Sequence, residues 1–126
     1  MKRRRDVRDW VIKAEQDFAA ARTLLRRRKP SLNDIVCFHA QQCAEKYLKA
    51  LLTKHRVAFP KTHDLLDLLD LAKRKEITLE LVRPMLEYLQ PYAIDFRYPG
   101  ESATRHEAQR AARFVVRVRE TIRRLL

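Results

Sequence analysis

Four side chains able to bind ligands or transfer protons lie close together in sequence: Cys37, His39, Cys43 and Lys46. On a helix His39 lies one turn before Cys43 and two turns before Lys46, so an imidazole and an ammonium group share one flank. These two groups can contact a phosphate or a ribose. The alternative is a partly buried His39 that is hydrogen-bonded at a subunit contact. No metal site is expected, because two cysteines and a histidine lack a fourth residue at ligand spacing.

Two further groups of candidates lie downstream. Thr62 or Asp64 can cap a short helix, and His63 between them belongs either to that turn or to a binding site. Arg97 and Tyr98 lie in an irregular stretch, where an arginine can clamp a phosphate while a ring stacks on a base. The alternative is that Tyr98 only pins this loop to the rest of the fold. The sequence contains no glycine-rich phosphate loop, catalytic carboxylate pair or Ser–His–Asp pattern.

The positive charge is concentrated at the two ends of the chain. The net charge is +12, and residues 1–30 hold eleven Lys or Arg against four acids, whereas residues 102–126 hold seven Arg against two Glu. The middle of the chain is neutral. If the terminal helices pack side by side, they form one basic surface suited to phosphates, and Arg117, Arg123 and Arg124 are its candidate RNA-binding residues. The alternative is an ordinary solvated surface rich in arginine.

The elements that position these residues are helices. A single Gly and five Pro in a chain rich in Ala, Leu, Arg and Glu favour helices with short joints. Apolar spacing predicts helices at about 6–28, from 31 or 33 to about 55, from 62 or 64 through 71, at 78–89 and from 104 onward. Pro84 predicts a kink or a late start in the fourth, and Thr104–Glu107 is a capping box. We therefore predict an all-α fold, an antiparallel up-and-down bundle of four to five helices with short loops.

The second predicted helix, which Ser31 or Asn33 can cap, has two unlike faces. One face is apolar and holds Val36, Ala40, Ala44, Tyr47, Leu48 and Leu51. The opposite face is mixed and holds Ile35, Phe38, Gln42, Glu45 and Lys49. A solvated face does not need Phe38, and a core face would not carry Gln42. We therefore expect the chain's own core on one side and a second subunit on the other, with Ile35, Phe38 and Gln42 at the dimer contact. The apolar stripe of the last helix can also pack against a neighbouring helix or a second subunit.

Length and composition limit the class of protein. At 126 residues, a single domain over 1–126 is expected. No apolar stretch approaches the roughly 20 residues that span a bilayer, and the basic N-terminus lacks the pattern of a signal peptide. Cys37 and Cys43 cannot close a disulfide within one helix, which favours a reducing, cytoplasmic location and no membrane.

Three segments together resemble the HEPN family, the nucleotide-binding helical domain shared by higher eukaryotes and prokaryotes. They are residues 38–52 (FHAQQCAEKYLKALL), residues 62–65 (THDL) and residues 97–99 (RYP). The resemblance covers nearly the whole chain and is to the small stand-alone prokaryotic type. It implies a helical bundle that is usually dimeric and is often encoded beside a minimal nucleotidyltransferase, some such pairs acting as toxin and antitoxin.

The resemblance also implies a possible chemistry. Several HEPN branches are metal-independent ribonucleases that use an Arg and a His separated by four to six residues, the His to move a proton and the Arg to hold phosphate charge. Here Arg97 and His106 have eight residues between them, outside that pattern. Arg56 and His63 have six, but they flank the joint after the second helix, whereas the family motif belongs with a later helix. Arg97 and His106 remain the main catalytic candidates, with Arg56 and His63 second.

The sequence therefore predicts a nucleotide- or RNA-binding HEPN-like module without a cofactor. It is expected to form a homodimer or a higher even oligomer and to work with a nucleotidyltransferase. One alternative is a metal-independent ribonuclease with a degenerate Arg/His motif. The other is a structural helical adaptor whose basic surface docks an acidic protein.

Overall fold

The computed structural model describes residues 6–94 and 99–126, and within them the regular elements are all helical. The helices are α1 (Val7–Arg26), α2 (Asn33–Lys54), α3 (Leu65–Ala72), α4 (Arg83–Leu89) and α5 (Arg105–Leu125), joined by short 3₁₀ turns at Pro30–Leu32, Ile77–Val82 and Gln90–Ala93. α1 and α5 both pack mainly on α2, α3 also packs on α2, and α4 contacts α5, α3 and α2. The predicted all-α bundle is confirmed.

α1 begins and ends where local sequence signals place its ends. Asp6 is the N-cap and forms a capping box with Asp9, which satisfies two backbone N–H groups of the first turn. Its core-facing residues include Ala14, Phe18 and Ala21, all buried. The helix ends at Arg26. Arg28 then adopts a left-handed conformation (φ 55°) before the chain enters the Pro30 turn.

The predicted cap of α2 is wrong. Neither Ser31 nor Asn33 caps it, because the Pro30–Leu32 turn leads directly into the helix and its N-cap residue, Leu32, makes no side-chain cap. The side chain of Asn33 instead donates to the carbonyl of Ala103 at 3.2 Å, and the Asp34 carboxylate accepts from the Ala103 N–H at 2.6 Å. These polar groups therefore fasten the start of α2 to the segment before α5.

α2 is the central helix, and most of its circumference is covered by its own chain. Glu45 and Lys49, on the mixed face, are buried within this one subunit, where Lys49 lies near the rings of Trp10 and Phe59. At these two residues the mixed face is therefore covered by the chain itself, and the expected dimer contact at Ile35, Phe38 and Gln42 is not affected. The start of that face, around Phe38, stays partly exposed.

α3 and α4 are short and begin where the sequence predicts. The Asp64 carboxylate accepts from the N–H groups of Leu66 and Asp67, both at 3.0 Å, so Asp64 rather than Thr62 is the cap. α4 has the late start that Pro84 predicts, since the preceding 3₁₀ turn ends at Val82 and the proline occupies the first turn of the helix.

α5 begins at the predicted capping box, in which the Thr104 hydroxyl and the Glu107 carboxylate each accept a backbone N–H of the other residue. Most of its apolar stripe is buried inside the subunit, and the buried residues are Ala108, Ala111, Val115, Val118 and Ile122. Of the two alternatives for this stripe, packing against a neighbouring helix is confirmed, since α2 covers it within the subunit. None of the described helices is long and apolar enough to cross a membrane.

Candidate functional site

The first polar cluster joins α1 to α2 through Asp17. This aspartate is buried, and its two carboxylate oxygens lie 2.8 Å from His39 Nδ1 and 2.5 Å from Lys46 Nζ. Because an ionised carboxylate only accepts hydrogen bonds, His39 carries a proton on Nδ1. The Phe38 ring meets the imidazole edge to face at 5.5 Å. The cluster therefore presents an oriented imidazole and a half-buried aromatic ring at the surface. The buried Asp17 carboxylate neutralises the Lys46 charge.

The second cluster joins α2 to the turn before α3. Glu45 Oε1 lies 2.8 Å from His63 Nδ1, and Glu45 Oε2 accepts from Lys49 at 3.0 Å. The carboxylate is only 4% exposed, whereas the His63 side chain is 69% exposed. The main chain of His63 is also held, since its carbonyl accepts from Gln41 Nε2 at 3.0 Å. Within the described residues nothing hydrogen-bonds His63 Nε2, so a buried carboxylate orients an imidazole with one free nitrogen.

The third cluster connects α1, α2 and α5. Arg119 donates two hydrogen bonds to Glu15, at 2.7 and 2.8 Å, and the Tyr47 hydroxyl donates to the same carboxylate. Arg123 in turn donates to the Tyr47 oxygen at 3.0 Å. The Arg119 hydrogen bonds lower the pKa of Glu15, and burial raises the pKa of Tyr47 to about 12. This cluster stabilises the antiparallel packing of α1 and α5.

Much of the exposed surface of α1 and α5 is basic. Two contacts show that these helices run side by side in opposite directions. Arg105 near the start of α5 donates to the carbonyl of Leu25 near the end of α1, and Arg119 near the end of α5 pairs with Glu15 in the first half of α1. Unlike Arg119, exposed arginines such as Arg113 and Arg117 form no ion pair with the carboxylates of residues 6–94 and 99–126. The surface therefore carries positive charge that the described part of the fold does not neutralise.

Comparison with known proteins identifies the fold family. The model of the HEPN domain matches residues 7–125, which is almost the entire chain. This chain belongs to the HEPN domain family. Among solved structures, it is similar to TT1696 from Thermus thermophilus, with 31% identity, a TM-score of 0.76 and coverage of 95% of this chain and 98% of that one. It also resembles ST0689, described as an archaeal HEPN homologue, with 23% identity, a TM-score of 0.75 and coverage of 95% and 97%. No curated protein matches the sequence.

The nucleotide-binding candidates of this HEPN domain occupy several places. His39 and Lys46 come together on Asp17, as their helical spacing predicts. Arg117 and Arg124 are exposed on α5, whereas Arg123 is partly engaged with Tyr47. Arg97 and Tyr98 lie outside the described residues.

No hydrogen bond joins the catalytic candidates in the described parts of this HEPN domain. His106 is exposed in the first turn of α5, and its proposed partner Arg97 lies outside the described residues. Arg56 is exposed just after α2 in a left-handed conformation (φ 58°), whereas His63 bonds to Glu45. The structure thus gives His63 a carboxylate partner that the Arg–His spacing did not indicate.

The expected dimer residues remain accessible in the single subunit. Ile35, Phe38 and Gln42 are all partly exposed on α2. The Gln42 side chain donates to the side-chain oxygen of Gln41 at 2.8 Å, which connects this surface to the His63 cluster.

The cysteines lie inside the fold. Cys37 and Cys43 are free and buried, and burial raises the pKa of the Cys43 thiol, so the unreactive thiol form dominates. No group of three or more His, Cys, Asp or Glu among the described residues is placed to hold a metal ion.

Three residues of the site are not among those that the sequence patterns select. Asp17, Glu15 and Arg119 each form a charged hydrogen bond between helices. The sequence gives a partial indication of Asp17, since it is a charged residue directly beside Phe18 in the apolar stripe of α1. It gives no indication that Glu15 and Arg119 pair, because they are 104 positions apart.

Proposed function

We propose that this HEPN domain is a dimeric module that binds nucleotide or RNA and works with a nucleotidyltransferase partner, as a toxin–antitoxin-like pair. The observation that carries the proposal is the unneutralised row of arginines on α1 and α5. Guanidinium groups recognise phosphate through paired hydrogen bonds, and their charge speeds encounter with a polyanion.

The surface of α2 supports the dimeric part of the proposal. Phe38 and Ile35 remain partly exposed next to a buried polar cluster, and a two-fold contact would remove both from water. The Phe38 and His39 rings would then lie at the junction of two subunits, close to the Lys46 charge.

The partner is inferred from the family resemblance. Small HEPN proteins of this type are commonly encoded beside a minimal nucleotidyltransferase. The excess positive charge is also compatible with binding an acidic protein surface. A neighbouring reading frame for a small nucleotidyltransferase, and co-purification of the two products, would support this part. Co-purification of only an unrelated acidic protein would favour the structural adaptor.

The binding function is tested by titrating the purified protein with ATP and with a labelled single-stranded RNA, while turnover of both is monitored. We expect saturable binding without turnover, and binding of the RNA that weakens steeply with salt. Absence of binding to both ligands would refute the proposal.

A ribonuclease is the second candidate, and the observation that favours it is the Glu45–His63 pair. A buried carboxylate that orients an exposed imidazole is suited to proton transfer. A phosphate clamp is also needed, and no arginine among the described residues is hydrogen-bonded to His63. Metal-independent cleavage by purified protein would select this candidate.

A further inference from the structure

An open groove runs between the C-terminal half of α1 and the N-terminal half of α5. Its rims carry Arg22 and Arg26 from α1 and Gln109 and Arg113 from α5. Its floor is apolar and is formed by Leu25, Ala112 and Val116. The groove is open to solvent and offers about 500 Å³, which is room for a nucleotide-sized group. We refer to it as the α1–α5 groove.

The arginines of the α1–α5 groove differ from Arg83, which pairs with the carboxylates of Asp70 and Glu80. Arg22, Arg26 and Arg113 have no partner among the carboxylates of the described residues.

The sequence explains this lack of partners. No Asp or Glu occurs in residues 18–33 or 108–119, the stretches that form both rims. Three like charges therefore line one groove that has no nearby carboxylate to offset them. A bound anion would relieve their mutual repulsion.

The side chains of the groove match the components of a nucleic acid strand. Planar guanidinium groups form paired hydrogen bonds with phosphate oxygens, and the amide of Gln109 can donate to a phosphate or ribose oxygen. The apolar floor offers a surface for a ribose or a base face. Arg22 is additionally steadied by the Phe18 ring, 5.4 Å from its guanidinium carbon, which reduces the side-chain entropy lost on binding.

The arginines also extend beyond the groove along both helices. Arg27 and Arg28 follow Arg26 at the end of α1, and Arg110 and Arg117 lie one turn on either side of Arg113. A single nucleotide would occupy only the groove, whereas a strand would use the whole series. The length of this basic series therefore favours an extended polyanion.

We propose that the α1–α5 groove binds the phosphodiester backbone of single-stranded RNA. The proposal rests on the RNA-binding function proposed above and adds the place where the strand lies. It assigns the phosphate contacts to Arg22, Arg26 and Arg113, none of which the sequence patterns selected.

The test compares two variants that each lose three positive charges. The groove variant is Arg22→Gln, Arg26→Gln, Arg113→Gln. The control is Lys61→Gln, Arg74→Gln, Lys75→Gln, since these residues are exposed in the segments that flank α3 and form no described ion pair. Binding of a short fluorescent single-stranded oligoribonucleotide is followed by anisotropy at several salt concentrations, and circular dichroism checks that both variants are folded.

We expect the groove variant to lose far more affinity than the control. Each phosphate contact with a single strand contributes about 0.7 to the slope of log affinity against log salt, so three contacts contribute about 2. The groove variant should therefore show a slope smaller by about 2 and an affinity about 100-fold lower at ~0.1 M salt. The control should keep the wild-type slope. If the triple variant does not fold, Arg113→Glu against Arg74→Glu makes the same comparison with one charge reversal each.

Each other outcome has a separate meaning. Equal losses in the groove variant and the control would refute the groove while leaving RNA binding intact. No binding of RNA by the wild type would refute the proposed RNA-binding function and the groove together. Binding of poly-glutamate as tightly as RNA, lost in the groove variant, would assign the groove to an acidic protein and overturn the RNA proposal.

Discussion

Glu45 and His63 form a hydrogen bond of 2.8 Å between an almost completely buried carboxylate and a largely exposed imidazole. The same carboxylate neutralises Lys49, whose side chain is only 8% exposed. One buried acid therefore has two roles, since it compensates a buried cation and orients a surface histidine. These roles can be separated by mutation.

Replacing Glu45 with glutamine should strongly destabilise the protein. The substitution keeps the shape but leaves the buried Lys49 ammonium without its counter-charge, and breaking one side of a buried pair costs about 3 kcal/mol. Urea denaturation measures the change in the free energy of unfolding. His63→Ala should cost less than about 1 kcal/mol, because that side chain is mostly solvated.

The double variant Glu45→Leu, Lys49→Met provides the control, since it removes both charges together. It should recover part of the lost stability. A Glu45→Gln variant as stable as the wild type would show that Lys49 reaches solvent and that the pair is not a buried one.

The Glu15–Arg119 pair should make stability depend on acid pH. Arg119 lowers the pKa of Glu15 in the folded state below the unfolded value of about 4.3. The folded state therefore binds fewer protons than the unfolded chain around this pH. The resulting stability is present above the unfolded pKa and is lost as the pH falls through the folded pKa. Since Glu15 is about one-third exposed, we expect a contribution of about 1 kcal/mol.

The measurement is the free energy of unfolding of wild type and Glu15→Gln at pH 7 and at successively lower pH. Glu15→Gln should be less stable at pH 7, and the difference should shrink as the pH falls below the unfolded pKa. A difference that stays constant through the acid range would mean that Arg119 does not act on the ionised carboxylate.

Structural features that depend on neighbouring residues can be predicted from this sequence, whereas features that depend on residues far apart in the chain cannot. The Asp64 cap, the Thr104–Glu107 box and the late start at Pro84 are fixed by neighbours within a turn, and all three are confirmed. The prediction of the α2 cap was wrong because the side chain of Asn33 bonds instead to the Ala103 carbonyl, 70 positions away.

The candidate site follows the same division. His39 and Lys46 share a flank by helical spacing, so their proximity was predictable. Their shared partner Asp17 was not, because it lies on another helix whose rotation is set by packing. The α1–α5 groove depends on how far two helices separate over α2, which no local pattern encodes.

The Phe38 surface should be a dimer contact. Phe38→Glu would place a charge in an apolar contact and should shift the protein from dimer to monomer, because an unpaired buried charge is costly. Light scattering distinguishes the 15.0 kDa monomer from a species of twice that mass. Leu81→Glu is the matched control, since Leu81 is 75% exposed on the turn before α4.

Loss of the dimer in Phe38→Glu but not in Leu81→Glu would support the contact. A wild type that is monomeric at all accessible concentrations would reject self-association. A Phe38→Glu protein that remains dimeric would place the interface elsewhere.

Purified protein alone should cleave RNA weakly or not at all. Cleavage of the kind found in HEPN ribonucleases needs an arginine at the phosphate beside a proton-transfer histidine, and neither candidate pair has both the spacing and the position of the family motif. The assay is incubation of labelled RNA with purified protein and a chelator, compared with the variants His63→Ala and His106→Ala. Robust metal-independent cleavage that is lost in His106→Ala or Arg97→Ala, with helical content and dimer unchanged, would overturn the binding module and establish a ribonuclease.

Loss of cleavage in His63→Ala or Arg56→Ala instead would place the chemistry at the Glu45–His63 pair. Glu45→Gln should then also reduce the rate and alter its pH profile, because the carboxylate that orients the imidazole and stabilises its protonated form has been removed. Cleavage that survives every one of these substitutions would come from a contaminating nuclease, and it would fail to co-elute with the protein in a final size-exclusion step.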